Sequence, residues 1–251
     1  MKFSETLTKT DPGLMISPRH DQWLMHNDHP IYTATAVSFA VKMLQSRDRD
    51  RTRSLSASGL GDCARYQQFV WLGMRKLPPT PTQALKMHNG AFMHLRWQMA
   101  GLTEGWLADA EVPVHHETLK LRGTMDGLLE GGSILELKSI NANGFRRVQT
   151  FGPLVPHLFQ MATYVLCTMR KKGVFLYECK DNQEYVEIPV TPADLPMIEA
   201  RARAENILAA VERRELYEPL SKCLDQEGWV YNSCPFRDRC LKIRNWDEAV
   251  A

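Results

Sequence analysis

The segment Ser133-Ile134-Leu135-Glu136-Leu137-Lys138-Ser139-Ile140 constrains this chain more than any other. Side chains of a strand alternate between faces, so Glu136 and Lys138 project to one side. Aliphatic residues occupy both faces, which marks a strand inside a sheet, where unpaired charge is costly. Two opposite charges placed there need a use, such as a metal ion. Upstream of Gly131-Gly132, residues 119–128 form a second strand-like run that carries Gly123-Thr124-Met125-Asp126. Gly-Gly between two such runs is a hairpin signal, and the hairpin brings Asp126 next to Glu136.

The rest of the chain supplies helices around this hairpin. Residues 1–30, punctuated by Pro12-Gly13, Pro18 and Pro30, read as an irregular arm. Its His20, Asp21, His26 and His29 lack the spacing of a metal site and read as scattered surface groups. Helices are expected over 33–45, from the caps at 54–58 to about 73, over 82–108, over 155–170 and from Thr191-Pro192 to about 216. Strands are expected at 111–116, 174–179 and 184–190, with a loop through Gly144 and Gly152-Pro153. The order predicts an α/β (α+β) fold with one central mixed sheet flanked by helices. Residues 1–53 form an N-terminal arm and helix, and 54–251 the main domain.

The 251 residues carry 31 basic and 29 acidic side chains, so no global field announces nucleic acid, and any such contact rests on local patches. The run at 47–53 alternates Arg with Asp and reads as a solvated linker. There is no apolar run of membrane-spanning length and no secretory signal, which makes the cytoplasm the expected compartment. Six cysteines there suggest thiols or metal ligands rather than disulfides.

Two carboxylates and a lysine on adjacent strands suit metal-assisted phosphodiester cleavage. Hard oxygen ligands select magnesium or manganese, and the Leu137 carbonyl adds a ligand between Glu136 and Lys138. On the Glu-Leu-Lys triplet alone, a buried ion pair is the stronger reading. The wider pattern resembles the PD-(D/E)XK nucleases: Gly123-x-x-Asp126 followed by Glu136-Leu137-Lys138. The flanking residues resemble their RecB-like branch, which includes CRISPR adaptation nucleases and phage exonucleases. Gly90-Ala91-Phe92-Met93-His94 matches its upstream histidine, Glu111-Val112-Pro113-Val114 its strand glutamate, and Gln160-Met161-Ala162-Thr163-Tyr164 its Gln-x-x-x-Tyr helix. The resemblance implies a restriction-endonuclease-like core, with His94, Asp126 and Glu136 as metal ligands and Lys138 as the catalytic lysine. Gln160 and Tyr164 would line the site or touch DNA. Arg65, Arg146, Arg147, Lys171, Lys172 and Lys180 are the basic residues considered for a bound strand.

Cys234-Pro235-Phe236-Arg237-Asp238-Arg239-Cys240 is similar to the terminal cysteine pair of the iron–sulfur members of that branch. Ser58-Gly59-Leu60-Gly61-Asp62-Cys63-Ala64-Arg65 is similar to their upstream cysteine context. Tyr231 stands where the family places a third cysteine, and Cys223 is its nearest substitute. The resemblance therefore implies Cys63, Cys223, Cys234 and Cys240 around a [4Fe–4S] cluster, with zinc as the alternative. Cys167 and Cys179 read as core residues.

The expected function is a magnesium- or manganese-dependent deoxyribonuclease acting on single strands or DNA ends, exonuclease ahead of endonuclease. A non-catalytic nucleic-acid-binding or assembly module, and a zinc-stapled structural protein, are the rival readings. A homo-oligomer and a recombination or helicase partner both stay open.

Overall fold

The computed structural model describes residues 16–26, 32–45, 53–226 and 228–250. The described residues form one six-stranded mixed sheet with helices on both faces. The strands are β1 (Leu55–Ser56), β2 (Leu107–His116), β3 (Leu121–Leu129), β4 (Ile134–Ile140), β5 (Gly173–Cys179) and β6 (Tyr185–Val190). The larger helices are α1 (Ser17–His26), α2 (Ala34–Gln45), α3 (Ala64–Trp71), α4 (Pro81–Glu104), α5 (Ala142–Phe151), α6 (Val155–Thr168) and α7 (Met197–Glu212). Three short ones close the tail: α8 (Gly228–Ser233), α9 (Arg237–Cys240) and α10 (Trp246–Val250). No described helix is long and apolar enough to cross a membrane.

Strand alternation sorts the core into two layers. Ile134, Phe175 and Tyr177 point into the cluster beneath α6 and α7. Leu135, Leu137, Val174 and Leu176 point the other way, against Met93 and Trp97 of α4. Glu136 and Lys138 thus share the α6 face. The β3–β4 hairpin forms as expected, and both turn glycines, Gly131 and Gly132, take positive φ angles of 89° and 85°.

Several expectations change. Residues 17–26, read as irregular, form α1. Pro18 sits in its first turn, and buried Glu187 of β6 accepts the Ile16 and Ser17 amides at 2.9 Å, replacing a local cap. His20 is buried and bonds Glu104 at 2.8 Å, so it is no surface group. The single helix expected over 54–73 is β1, a 3-10 turn and α3, because Leu55 and Ser56 pair with Leu121 and Arg122 of β3. The loop expected around Gly144 is α5: the Asn141 side chain accepts the Gly144 amide at 2.8 Å and caps it. The helix expected from Thr191 breaks into a 3-10 turn and α7 on either side of Pro196. His29, residues 1–15 and most of the 47–53 run lie outside the described residues.

Candidate active site and a cysteine-lined cavity

The site lies where the sheet opens. On one edge of β3, β1 pairs at Leu121 and Arg122, and β4 pairs at Gly127 and Leu128. Between them residues 123–126 have no strand partner on that edge. Side chains satisfy the backbone there instead. The Tyr164 hydroxyl donates to the Thr124 carbonyl at 2.7 Å, and Gln98 Nε2 donates to the Asp126 carbonyl at 2.8 Å. The Leu137 amide donates to Asp126 Oδ2 at 2.6 Å, tying β4 to β3 beyond the end of their ladder. Gly123 makes this possible: a Cβ there would stand 2.9 Å from the Tyr164 ring and 2.8 Å from Ala57 Cβ.

Four expected residues meet across the opening. His94 Nδ1 lies 3.2 Å from Asp126 Oδ1. Lys138 Nζ lies 2.6 Å from Glu136 Oε1 and donates to Gln160 Oε1 at 2.9 Å. Gln160 Nε2 donates to the Tyr164 hydroxyl at 2.8 Å. This chain has one consistent direction. The Thr124 carbonyl can only accept, so Tyr164 spends its proton on it and accepts from the Gln160 amide, leaving the Gln160 oxygen turned to Lys138. Gln160 and Tyr164, four residues apart on α6, lie one above the other as the helix requires.

The side chains grade outward: Glu136 is 2% exposed and Asp126 12%, while Lys138 is 18% and His94 28%. The buried carboxylates therefore sit at the floor and the two bases face the opening. Burial, then the charge of Asp126, pushes the Glu136 carboxyl up to about 7 against the pull of Lys138. Burial opposes charge on His94, yet the adjoining Asp126 carboxylate outweighs it and raises its pKa. Burial and the nearby Glu136 and Asp126 hold the Tyr164 phenol well above its usual range. Glu136 Oε2 is buried and accepts no hydrogen bond. An unpartnered carboxylate oxygen beside a second carboxylate and an imidazole suits a divalent cation. Yet among the described residues no three or more His, Cys, Asp or Glu side chains are drawn together as a metal-holding group. Asp126 engages the Leu137 amide and His94, and Glu136 engages Lys138 through Oε1 alone.

Three further residues shape the site: Glu111, which the resemblance singles out, and Gln98 and His157, which it does not. Gln98 bridges the Asp126 carbonyl and Glu111 Oε1, the latter at 3.0 Å. Glu111 has a φ of 54° in the middle of β2, a left-handed conformation uncommon for a side-chain-bearing residue, and it falls between the register pairs Ala110–Gly127 and Val112–Met125. His157, in the first turn of α6, bonds the Tyr177 hydroxyl at 2.8 Å; burial, then the Lys138 charge, lowers its pKa to about 3. Gln98 carries no sequence signal, whereas His157 had one available: it lies three and seven residues before Gln160 and Tyr164, on their helix face.

The basic residues divide. Arg146, Arg147, Lys171, Lys172 and Lys180 are exposed. Arg65 is not: it is 2% exposed and donates to the carbonyls of Tyr217, Cys240 and Ile243, so its guanidinium ties α3 to the tail and cannot meet a strand. Tyr164 is likewise buried, which removes contact with DNA as its role.

Cys63, Cys223, Cys234 and Cys240 all line one cavity of about 480 Å³ between α3 and the tail. None of the six cysteines is paired in a disulfide. Cys63 caps α3, its Sγ accepting the Tyr66 amide at 3.4 Å. Burial raises the pKa of Cys223, Cys234 and Cys240, and the charge of neighbouring cysteines adds to it. Cys179 is buried in the sheet, as expected of a core residue.

No family model matches this chain. No curated protein matches it. Among solved structures, that of SSO0001 aligns with 83% of this chain and 96% of its own at 16% identity, with a TM-score of 0.53. That likeness shows the fold. The alkaline exonuclease LHK-Exo from Laribacter hongkongensis aligns with 65% of this chain and 90% of its own at 20% identity and a TM-score of 0.48. Its complex with dAMP aligns over the same shares at 18% identity and a TM-score of 0.49.

Proposed function

We propose that this chain is a divalent-metal-dependent deoxyribonuclease of the PD-(D/E)XK type, acting as an exonuclease on single strands or DNA ends, with 54–251 as its catalytic domain. The observation that carries the reading is the convergence of His94, Asp126, Glu136 and Lys138 at one opening of the sheet, with the buried Glu136 Oε2 unpartnered. His94, Asp126, Glu136 and the Leu137 carbonyl would hold magnesium or manganese. Such an ion, when bound, stabilises charge on the phosphate and makes water more acidic.

The remaining chemistry belongs to the chain. Lys138 has three N–H donors, and Glu136 and Gln160 engage two of them. The third is free to meet a phosphate oxygen or the attacking water as negative charge develops. Gln160 and Tyr164 are positioning residues: they aim the ammonium without touching the phosphate. Asp126 holds the His94 ring in orientation.

We further infer that the four cysteines lining the tail cavity hold a [4Fe–4S] cluster, with zinc as the alternative, and that it staples α3 to the tail. Their origin at both ends of the domain and their shared cavity support this. Anaerobic purification with elemental analysis tests it: iron and sulfide at about four per chain support the cluster, and a colourless protein with neither iron nor zinc rejects it.

Incubation of labelled single- and double-stranded DNA with manganese, magnesium or chelator tests the catalytic reading. Degradation dependent on metal supports it. Retardation without degradation points instead to a binding module, and neither effect to a structural protein.

A further inference from the structure

A second concave site lies behind the cysteine cavity, and the proposed chemistry makes no use of it. It measures about 410 Å³, and Pro235 and Phe236 form a wall common to both cavities. One side is the segment between α3 and α4, with Arg75 and Lys76. The other is the tail around α9, with Arg239 and Lys242. The two sides are clasped by a hydrogen bond from the Leu77 amide to the Pro235 carbonyl at 2.8 Å.

The charge here is unbalanced. None of the four cations has an ion-pair partner among the described residues, although Lys76 Nζ lies 6.0 Å above the centre of the Tyr66 ring. The single lining carboxylate, Asp238, is 3.7 Å from Arg237. Four like charges gathered in one hollow repel each other, in a chain whose overall charge is only +2. An anion relieves that repulsion.

We propose that this hollow binds backbone phosphates of a single-stranded nucleic acid, as a grip separate from the cleavage site. Exposed donors on opposite sides suit successive phosphates of a strand laid between them. Among the described lining residues Phe236 is the one aromatic, and it is 1% exposed, so the lining offers backbone-directed charge rather than a ring for base stacking, and the grip is indifferent to sequence. The choice of nucleic acid over another polyanion rests on the nuclease reading, whereas the charge cluster stands without it. The grip is built from the segment that carries Cys234 and Cys240, so the staple and the strand contact share one scaffold.

The test measures binding of a labelled single strand of about 20 nucleotides to the full chain carrying Lys138→Ala, by anisotropy between roughly 50 and 200 mM salt. Adding Arg239→Gln and Lys242→Gln is expected to lower affinity roughly 25-fold near 0.1 M salt and to flatten the log–log salt slope by about 1.4, from about 0.7 per lost contact. Lys120→Gln, on the β2–β3 turn, serves as the charge control and leaves the slope in place. An unchanged slope in the double variant overturns the grip, and so does weaker binding with an unchanged slope and a lowered Tm, which marks damage to the tail. Full displacement of the strand by inorganic phosphate at constant ionic strength also overturns it, reassigning the hollow to a small anion. A flattened slope together with a wild-type chain that never cuts DNA sustains the grip and rejects the nuclease; cleavage by the wild-type chain with an unaltered slope in the double variant does the reverse.

Discussion

Glu136→Gln isolates the tension built into the site. Burial and the neighbouring Asp126 raise the Glu136 carboxyl from 4.5 to about 7, net of the help from Lys138. In the unfolded chain it ionises near its ordinary value, so the folded state binds more protons between those two values. Stability contributed by this group is therefore greatest below pH 4.5 and falls as pH rises through about 7. The shift of about 2.5 pH units corresponds to roughly 3 kcal/mol at pH 8.5 and about 1 kcal/mol or less near pH 5. Gln keeps the shape of the neutral acid and never ionises. With chelator present, Glu136→Gln should be more stable than wild type by about 3 kcal/mol at pH 8.5, or about 6–12 °C in Tm for a chain of this size, with most of that gain lost at pH 5. Activity should be abolished by the same change. Thermal denaturation at the two pH values is the assay. Equal stabilities at pH 8.5, or a gain independent of pH, would refute the reasoning, because burial of an ionised Glu136 would then carry no penalty.

Other parts of the structure make separate predictions. Lys138→Ala and Asp126→Ala should each reduce the cleavage rate by at least about 100-fold while DNA affinity, read by anisotropy, stays largely intact. Tyr164→Phe removes the hydroxyl oxygen that accepts from the Gln160 amide; cleavage should slow by about 10-fold or more with little change in KM, as seen in steady-state kinetics on a short oligonucleotide. Arg65→Met strands three carbonyls in a buried setting and should lower stability by at least about 3 kcal/mol by urea denaturation. Cys234→Ser should reduce soluble yield and, if iron is present in wild type, remove its visible absorbance.

Much of the site is legible in the sequence because strand and helix periods force it. Aliphatic residues on both faces of 134–140 place that strand inside the sheet, and two-residue spacing puts Glu136 and Lys138 on one face. Gly131-Gly132 marks the hairpin, and four-residue spacing aligns Gln160 with Tyr164. What escapes is set by distant partners. The two-residue strand β1 exists only through pairing with β3, some 66 residues away. Helix α1 is capped by Glu187, a side chain 170 residues from Ser17. Arg65 reads as a surface cation until its three tail carbonyls are seen. Glu111 is legible through the resemblance, but its left-handed backbone and its bond from Gln98 are announced by no local pattern. The helix α5 was hidden by Gly144, because the Asn141 cap outweighs the low helix propensity of one glycine.

The central claim is that one group of side chains at the opening of the sheet cuts phosphodiester bonds with the help of a divalent ion. The rate of nucleotide release from end-labelled single-stranded DNA, measured with manganese for the wild-type chain and Lys138→Ala, tests it most directly. Rapid release by wild type that chelator stops and Lys138→Ala lacks is the predicted result. Intact DNA after incubation with wild type and metal, or equal release by the two proteins, contradicts it.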